Sequence, residues 1–404
     1  MGKRILLVAQ NFYPEFFKSN DIASEMVKRG HCVDVLTGIP NYPEGVFPNG
    51  YGVFKKRIDY YKGAKVYRAF QIPRGRKASG IRLAINYLSF AFTSTFWVLF
   101  FFLFKKKYDA IIIHQTSPVT QAWPGLLLGK LKRIPIYTWV LDIWPDSVLS
   151  TINSESKLIK KPLDWFVDCM YRSSHKILIS SPGFKTLVNR NANYSDKIID
   201  FPNWCEDISA MPLMPIPELP NGFIIMMAGN IADGQGITDV VLAIEELKEY
   251  NDIYWVFVGG GAMQQWLKEY VTKHSLNSKV FVVGKHPFTH MSAFYAKADV
   301  MLLSLKKSIC DHLNATIPAR VQSYLSAGKP IVGMSGHGVQ ALISEYNCGF
   351  MASAGDYKQL YINILRLYND RQLLKDMGIN ARKVYKHKYT IDICMNALED
   401  IITT

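Results

Sequence analysis

The sequence lacks most of the short motifs that announce a chemistry. Its six cysteines, Cys32, Cys169, Cys205, Cys310, Cys348 and Cys394, include no C-x-x-C pair. That spacing speaks for reduced thiols in a cytoplasmic protein, and no metal site is expected. There is no H-E-x-x-H, no P-loop and no Ser-His-Asp ordering, so the chemistries those motifs carry are not expected. The loop after the first apolar run, QNFYPEFFKS, has no G-x-G-x-x-G, which argues against a nicotinamide or flavin enzyme. No secretory signal is expected ahead of that run.

Acidic residues are scarce, but only in the first half. Residues 1–200 carry 29 Lys+Arg against 14 Asp+Glu (+15), and residues 201–404 carry 18 against 19 (−1). One half therefore meets something anionic over a broad surface, either nucleic acid or an anionic bilayer. Nucleic acid is set aside, because the basic half has no recognition motif and its aromatics run in apolar stretches. The segment Leu83 to Phe104 has no charge across 22 residues. As a helix it spans about 33 Å at 1.5 Å per residue, enough to cross a bilayer. A crossing is nonetheless rejected. The runs on either side, RILLVA and DAIIIH, read as strands of one sheet, and both flanks of the segment are basic. Two readings stay open: a helix lying in the headgroup region with its lysines on anionic lipid, or a fully buried crossover helix.

What is present is a repeated α/β pattern. With 404 residues and 49% hydrophobic content, two domains of ordinary size are expected. In the first half, strands are expected at 4–9, 31–37, 109–114, 134–141 and 175–180, with a helix from Asn20 to Arg29. Residues 206–222 hold four prolines and little periodicity, which reads as a linker. A second β-α-β series follows over residues 223–388, and residues 389–404 form a final helix. The fold class is α/β, two Rossmann-like domains facing across a cleft, with ligand loops at the C-terminal ends of the strands.

The stretch NATIPARVQSYLSAGKPIVG, from Asn314 to Gly333, organises the second half. It reads as a loop, a helix opening after Pro318 and closed by Gly328, and a strand. Arg320 then sits in a first helical turn, where an added cation makes a place for phosphate. Gly229, Asn230, Gly234 and Gly236 follow one strand, and Gly259, Gly260 and Gly261 another; glycines there let backbone N–H groups approach a phosphate, or serve plain turn chemistry. With Gly336, His337 and Gly338 they converge on a diphosphate-bearing ligand. Lys285, ending VFVVGK, and Thr316 join the binding candidates. In the first half Asp142, in VLDIWPDS at a strand end, is the leading polar candidate, with an N-cap or buried structural carboxylate as the alternative. Glu15 either contacts an acceptor or is a solvated loop carboxylate. His114 reads as a structural histidine.

These segments, NDIASEMVKRGHCVDVLTGIPNYPEG, VLDIWPDS, FPNW, AGNIADGQG, VGGG and TIPARVQSYLSAGKPIV, resemble the family 4 glycosyltransferases of the GT-B fold over nearly the whole chain. The likeness is to bacterial members that build capsule, O-antigen and exopolysaccharide repeats. It implies retaining transfer from a nucleotide-diphosphate sugar, most often a UDP-sugar, with an N-acetylamino sugar among the options, and with no obligatory metal or cofactor. The acceptor implied is a lipid-linked saccharide or polysaccharide, met by residues 1–205 on the inner face of the plasma membrane, while residues 223–388 hold the donor and the last helix packs back on the first domain. The resemblance places Gly229, Asn230 and Gln235 by the phosphates and sugar, Gly259, Gly260 and Gly261 by the nucleotide, and Arg320 on the diphosphate. Asp142 would orient the acceptor or sugar. Many members carry two glutamates eight positions apart where this chain has Asn314 and Gln322, and often a lysine where Gln235 stands. Rival readings on the same fold are a UDP-sugar epimerase and a non-catalytic scaffold subunit.

Overall fold

The computed structural model describes residues 2–77, 79–151 and 156–404. Contacts divide the chain into a first unit of Met1–Ser180, Phe184–Phe201 and Met395–Thr404, and a second of Ser181–Gly183 and Pro202–Cys394.

The first unit is built on β1 (Arg4–Val8), β2 (Cys32–Gly38), β3 (Ile58–Tyr61), β4 (Ala64–Ala69), β5 (Ala110–Gln115), β6 (Ile136–Val140), β7 (Lys176–Ile179) and β8 (Ile198–Asp200). They form one sheet in the order β3-β4-β2-β1-β5-β6-β7-β8. Every pairing is parallel except β3 on β4. The parallel strands are apolar runs because helices cover both faces, as in Ile5–Val8 and Ile111–Ile113, all fully buried. The five strands expected here all appear, with ends shifted by no more than two residues. The hairpin β3–β4 was not expected. Its turn, Lys62–Gly63, has φ of 44° and 89°, the two positive values a tight two-residue hairpin demands.

Because β5 pairs directly with β1, from Ile5↔Ala110 to Val8↔Ile113, in the same sheet as β4, the helix between β4 and β5 cannot carry one of them across a bilayer. That helix runs Gly80–Phe100, capped by Ser79 Oγ, which accepts from Arg82 N at 3.3 Å, and a 3-10 turn Phe102–Phe104 follows it. It is not a buried crossover helix: only Asn86, Phe90, Ser94 and Val98 are buried.

The second unit holds β9 (Phe223–Ala228), β10 (Ile253–Val258), β11 (Val280–Gly284), β12 (Val300–Ser304), β13 (Ile331–Ser335) and β14 (Gly349–Ser353). All are parallel, in the order β11-β10-β9-β12-β13-β14. This is the doubly wound order whose switch point, between the first and fourth strands, opens a crevice at the strands' C-terminal ends. Here the switch lies between β9 and β12, where Lys306 N donates to Gly234 O at 3.0 Å.

The proline-rich segment is not a free linker. Ile208 is buried in the second unit's core. Asp207 takes both Arg382 nitrogens, at 2.7 and 2.6 Å, and hydrogen bonding from that guanidinium holds its carboxyl below the usual range. Proline run and low periodicity mark extended backbone, and extended backbone can be tied down along its length. Arg382 comes from a helix, Arg371–Lys388, which is not among the elements expected from the sequence. In the last helix, Ile391–Thr403, residues from Met395 belong to the first unit, where Glu399 Oε1 meets His31 Nε2 at 3.0 Å and Asn396 accepts from Arg29 at 3.0 Å.

Candidate active site at the strand ends

In the second unit the site is assembled around Arg320, the first residue of the helix Arg320–Ser326. Residues four apart share a helix face, and Tyr324, one turn on, is fully buried. Its hydroxyl donates to Ala228 O and accepts from Ala228 N, both at 3.0 Å, which pins the helix to the end of β9. Arg320 is thereby aimed at the next residue, Gly229: a Cβ built there would stand 3.8 Å from Arg320 Nη1. Arg320 Nη2 donates to Gln235 Oε1. Among the described residues the buried Nη1 has no partner, and no carboxylate lies within ion-pair distance of this guanidinium. A buried guanidinium N–H without an acceptor costs free energy, so the arrangement suits an anion that the chain does not itself supply.

The glycines divide into two kinds. The N–H of Gly229 donates to Val258 O at 2.8 Å and that of Gly259 to Gly284 O at 2.7 Å, so neither is offered to a phosphate. Gly259, at φ 139°, is needed because a Cβ would lie 1.9 Å from Gly229 O, and Gly261, at φ 155°, because one would lie 2.4 Å from Asn230 Oδ1. These glycines let the turns after β9 and β10 close on each other, the plain turn chemistry that was the alternative to phosphate contact. Gly260 lies under Lys285, whose Cε would be 2.7 Å from a Cβ there. Gly229, Asn230, Gly261 and Lys285 are exposed.

Gln322 is not brought to this surface. It is buried, and with its amide oriented to satisfy both atoms, Nε2 donates to Pro318 O (3.2 Å) and Ala319 O (2.9 Å). Asn314 lies in a short helix, Asp311–Ala315, rather than in a loop; its Nδ2 donates to Ser308 O at 2.9 Å, and Gly336 packs on its Cα. Thr316 Oγ1 is turned back on His312 O at 2.7 Å. Gly336 and Gly338 thus pack on the Asn314–Ala315 backbone, not on Arg320.

In the first unit, Asp142 follows β6 and is half-exposed. Ser117 Oγ donates to its Oδ2, and Trp144 Nε1 donates to Ser117 Oγ at 3.0 Å, so one carboxylate oxygen is positioned by a chain of donors. Glu15 is neither solvated nor free. Its Oε1 accepts from the N–H of Asn41 and of Tyr42, both at 2.6 Å, and its buried Oε2 has no partner among the described residues. Burial pushes its carboxyl up, against the pull of those N–H groups and of Arg74 and Arg68. Glu15 therefore holds the loop after β2 and is a positioning residue, not a group offered to an acceptor. His114 is fully buried, and burial drives it down to about 3, neutral at any working pH. Arg74, which the sequence showed only as a basic flank, stands over the rings of Tyr42 (5.0 Å) and Tyr87 (5.6 Å). Its signal was a cation directly after an apolar run, in AFQIPRG.

Glu15 gives the first test. A carboxyl raised by burial favours folding below the ordinary value of 4.5, and that contribution is lost as pH rises through the raised value. Gln at this position keeps the oxygen that Asn41 and Tyr42 donate to and cannot ionise. Between pH 4.5 and 8, Glu15→Gln is expected to gain melting temperature relative to wild type; a constant difference across that range would remove the burial argument.

Residues 215–384 match the family described as glycosyl transferases group 1. The chain is 23% identical over 343 residues to the putative colanic acid biosynthesis glycosyl transferase WcaI of Escherichia coli K12, covering 80% of this chain and 81% of that one. It is 22% identical over 274 residues to the probable glycosyltransferase WbjE of Pseudomonas aeruginosa, covering 63% and 66%. Among solved structures it is similar to Anabaena Alr3699/HepE, crystallised with UDP and glucose, with a TM-score of 0.68 at 15% identity over 100% of both chains.

Proposed function

We propose a specific reaction for this chain, which is a glycosyltransferase of the GT-B fold with a group 1 glycosyl transferase domain over residues 215–384. It moves a sugar, with retention, from a UDP-sugar to a lipid-linked saccharide acceptor in surface polysaccharide synthesis. It acts in the cytoplasm, at the inner face of the plasma membrane. The observation that carries this reading is Arg320, a cation with no carboxylate partner among the described residues and a buried, unpartnered Nη1, at the switch point of a doubly wound sheet. The UDP bound by HepE and the colanic acid role in the name of WcaI support the donor and the product class.

In this reaction the bond from the sugar's anomeric carbon to the diphosphate oxygen breaks as the acceptor oxygen bonds to that carbon. The acceptor's proton goes to the departing phosphate on the same face. Two negative phosphates leave, so charge stabilisation by Arg320 matters more than an acid. Gln235, already on Arg320 Nη2, keeps the guanidinium in place. Asp142 positions the acceptor hydroxyl through the oxygen that Ser117 leaves open. Mass-spectrometric screening of UDP-, GDP- and dTDP-sugars for donor hydrolysis or transfer tests the reading; no turnover of any of them, with no UDP binding at millimolar concentration, would sink it. For Asp142→Asn, acceptor-dependent transfer is expected to fall by about 100-fold, the scale of a misplaced reactant, with UDP affinity unchanged by calorimetry. Equal loss of UDP binding would show that Asp142 acts on the fold instead.

A further inference from the structure

We propose that the first unit sits on an anionic lipid bilayer through one apolar surface made by two helices, Gly80–Phe100 and the N-terminal half of Lys157–Ser173. This rests on the membrane-peripheral placement proposed above and adds where the contact is made. The first helix is amphipathic in the inverted sense. Its buried stripe, Asn86, Phe90, Ser94 and Val98, includes polar groups that bond inward: Asn86 Nδ2 to Ile72 O at 2.6 Å and Ser94 Oγ to Ala91 O at 3.0 Å. The exposed stripe, Ile81, Ile85, Leu88, Phe92, Phe96 and Phe100, is wholly apolar. Its steps of three and four residues keep it on one face, and Phe92 lies about 200° around the helix from Phe90. Phe92 is 67% and Phe100 72% exposed. An exposed apolar stripe of this length marks a contact with another phase or molecule.

The stripe does not end with its helix. Trp123 Nε1 donates to Thr95 Oγ1 at 2.9 Å, and its ring lies 6.5 Å from that of Phe166, which joins the first helix to Lys157–Ser173. That second helix exposes Leu158 (87%) and Trp165 (66%) two turns apart, beside Lys157 and Lys161. Trp at the edge of an apolar face with lysines beside it is the composition that headgroup regions select. The rim decides the occupant. From Arg74 to Lys107 the chain has no acidic residue, and Arg76, Lys77, Arg82, Lys106 and Lys107 bracket the stripe. A second copy docked here would bring like charges together in a half that already carries +15, whereas anionic lipid neutralises them.

Flotation of the full chain with vesicles of phosphatidylcholine, alone or with about a third phosphatidylglycerol, tests this. Wild type is expected to float with the anionic vesicles and far less with the neutral ones. Phe92→Glu/Phe96→Glu is expected to lower recovery roughly tenfold or more, the scale of placing charge in the apolar layer. Trp165→Glu should lower it in its own right, and Lys106→Glu/Lys107→Glu should remove the preference for anionic lipid. Circular dichroism and UDP affinity, both unchanged, show that each variant is folded. Wild type floating with neither vesicle, or Phe92→Glu/Phe96→Glu floating like wild type, overturns the proposal. So does a wild-type dimer, seen by light scattering, that this double variant converts to monomer without any flotation. Trp165→Glu floating like wild type overturns the two-helix surface. Failure of donor turnover with vesicle binding intact would count against the transfer reaction and not against this surface.

Discussion

Arg320→Ala is expected to lower kcat/KM for the donor by about 10²–10³, the scale for removing one preorganised charge-stabilising group, with little change in melting temperature. The two parts of that expectation follow from one fact. The guanidinium donates to Gln235 and has no carboxylate within ion-pair distance among the described residues. Its removal therefore leaves no buried charge unpaired, and a stability change within about 0.5 kcal/mol is expected. Arg320→Lys should recover only part of the activity, because a point charge replaces a planar fork that can hold a phosphate oxygen and Gln235 together. UDP titration separates the outcomes. A wild-type UDP affinity in Arg320→Ala would end the assignment, and a large fall in melting temperature would show that the residue serves the fold.

Much of this was legible in advance, for reasons that also explain what was not. Parallel strands covered on both faces read as uninterrupted apolar runs, so RILLVA, DAIIIH and FIIMMA announced themselves. The edge strand β3, IDYY, is half in water and has no such run, so the hairpin it makes with β4 was overlooked although Lys62–Gly63 marks its turn. Arg320 could be placed because Pro318 and Gly328 bound its helix. The same helix could have excluded Gln322. Two residues turn a helix by about 200°, so if Arg320 faces the ligand, Gln322 faces the core, where it is buried. Spacing of eight from Asn314 described likeness to a motif and said nothing about the face. Arg74 and the bonds of Asp207 to Arg382 were hidden for a different reason, since each depends on elements distant in sequence meeting in space.

The glycines give the sharpest contrast, because two of them looked alike in sequence and differ in structure. Gly259→Ala is expected to destabilise the second unit by roughly 4 kcal/mol or more, at the severe end for a single substitution. Two penalties add: an L-residue at φ 139°, and a Cβ 1.9 Å from Gly229 O, which is backbone and cannot swing aside. For a unit of this size that lowers the melting transition by about 10 °C. Gly234→Ala meets nothing within 4 Å and has no positive φ, so its stability should stay within about 0.5 kcal/mol of wild type. If glycine at 259 existed to admit a phosphate, the order would reverse in kind. Gly259→Ala would then melt normally and lose UDP. The N–H already donated to Gly284 O at 2.7 Å argues for the first outcome. Thermal unfolding and UDP titration of both variants distinguish a glycine that lets two turns close from one that lets a ligand in.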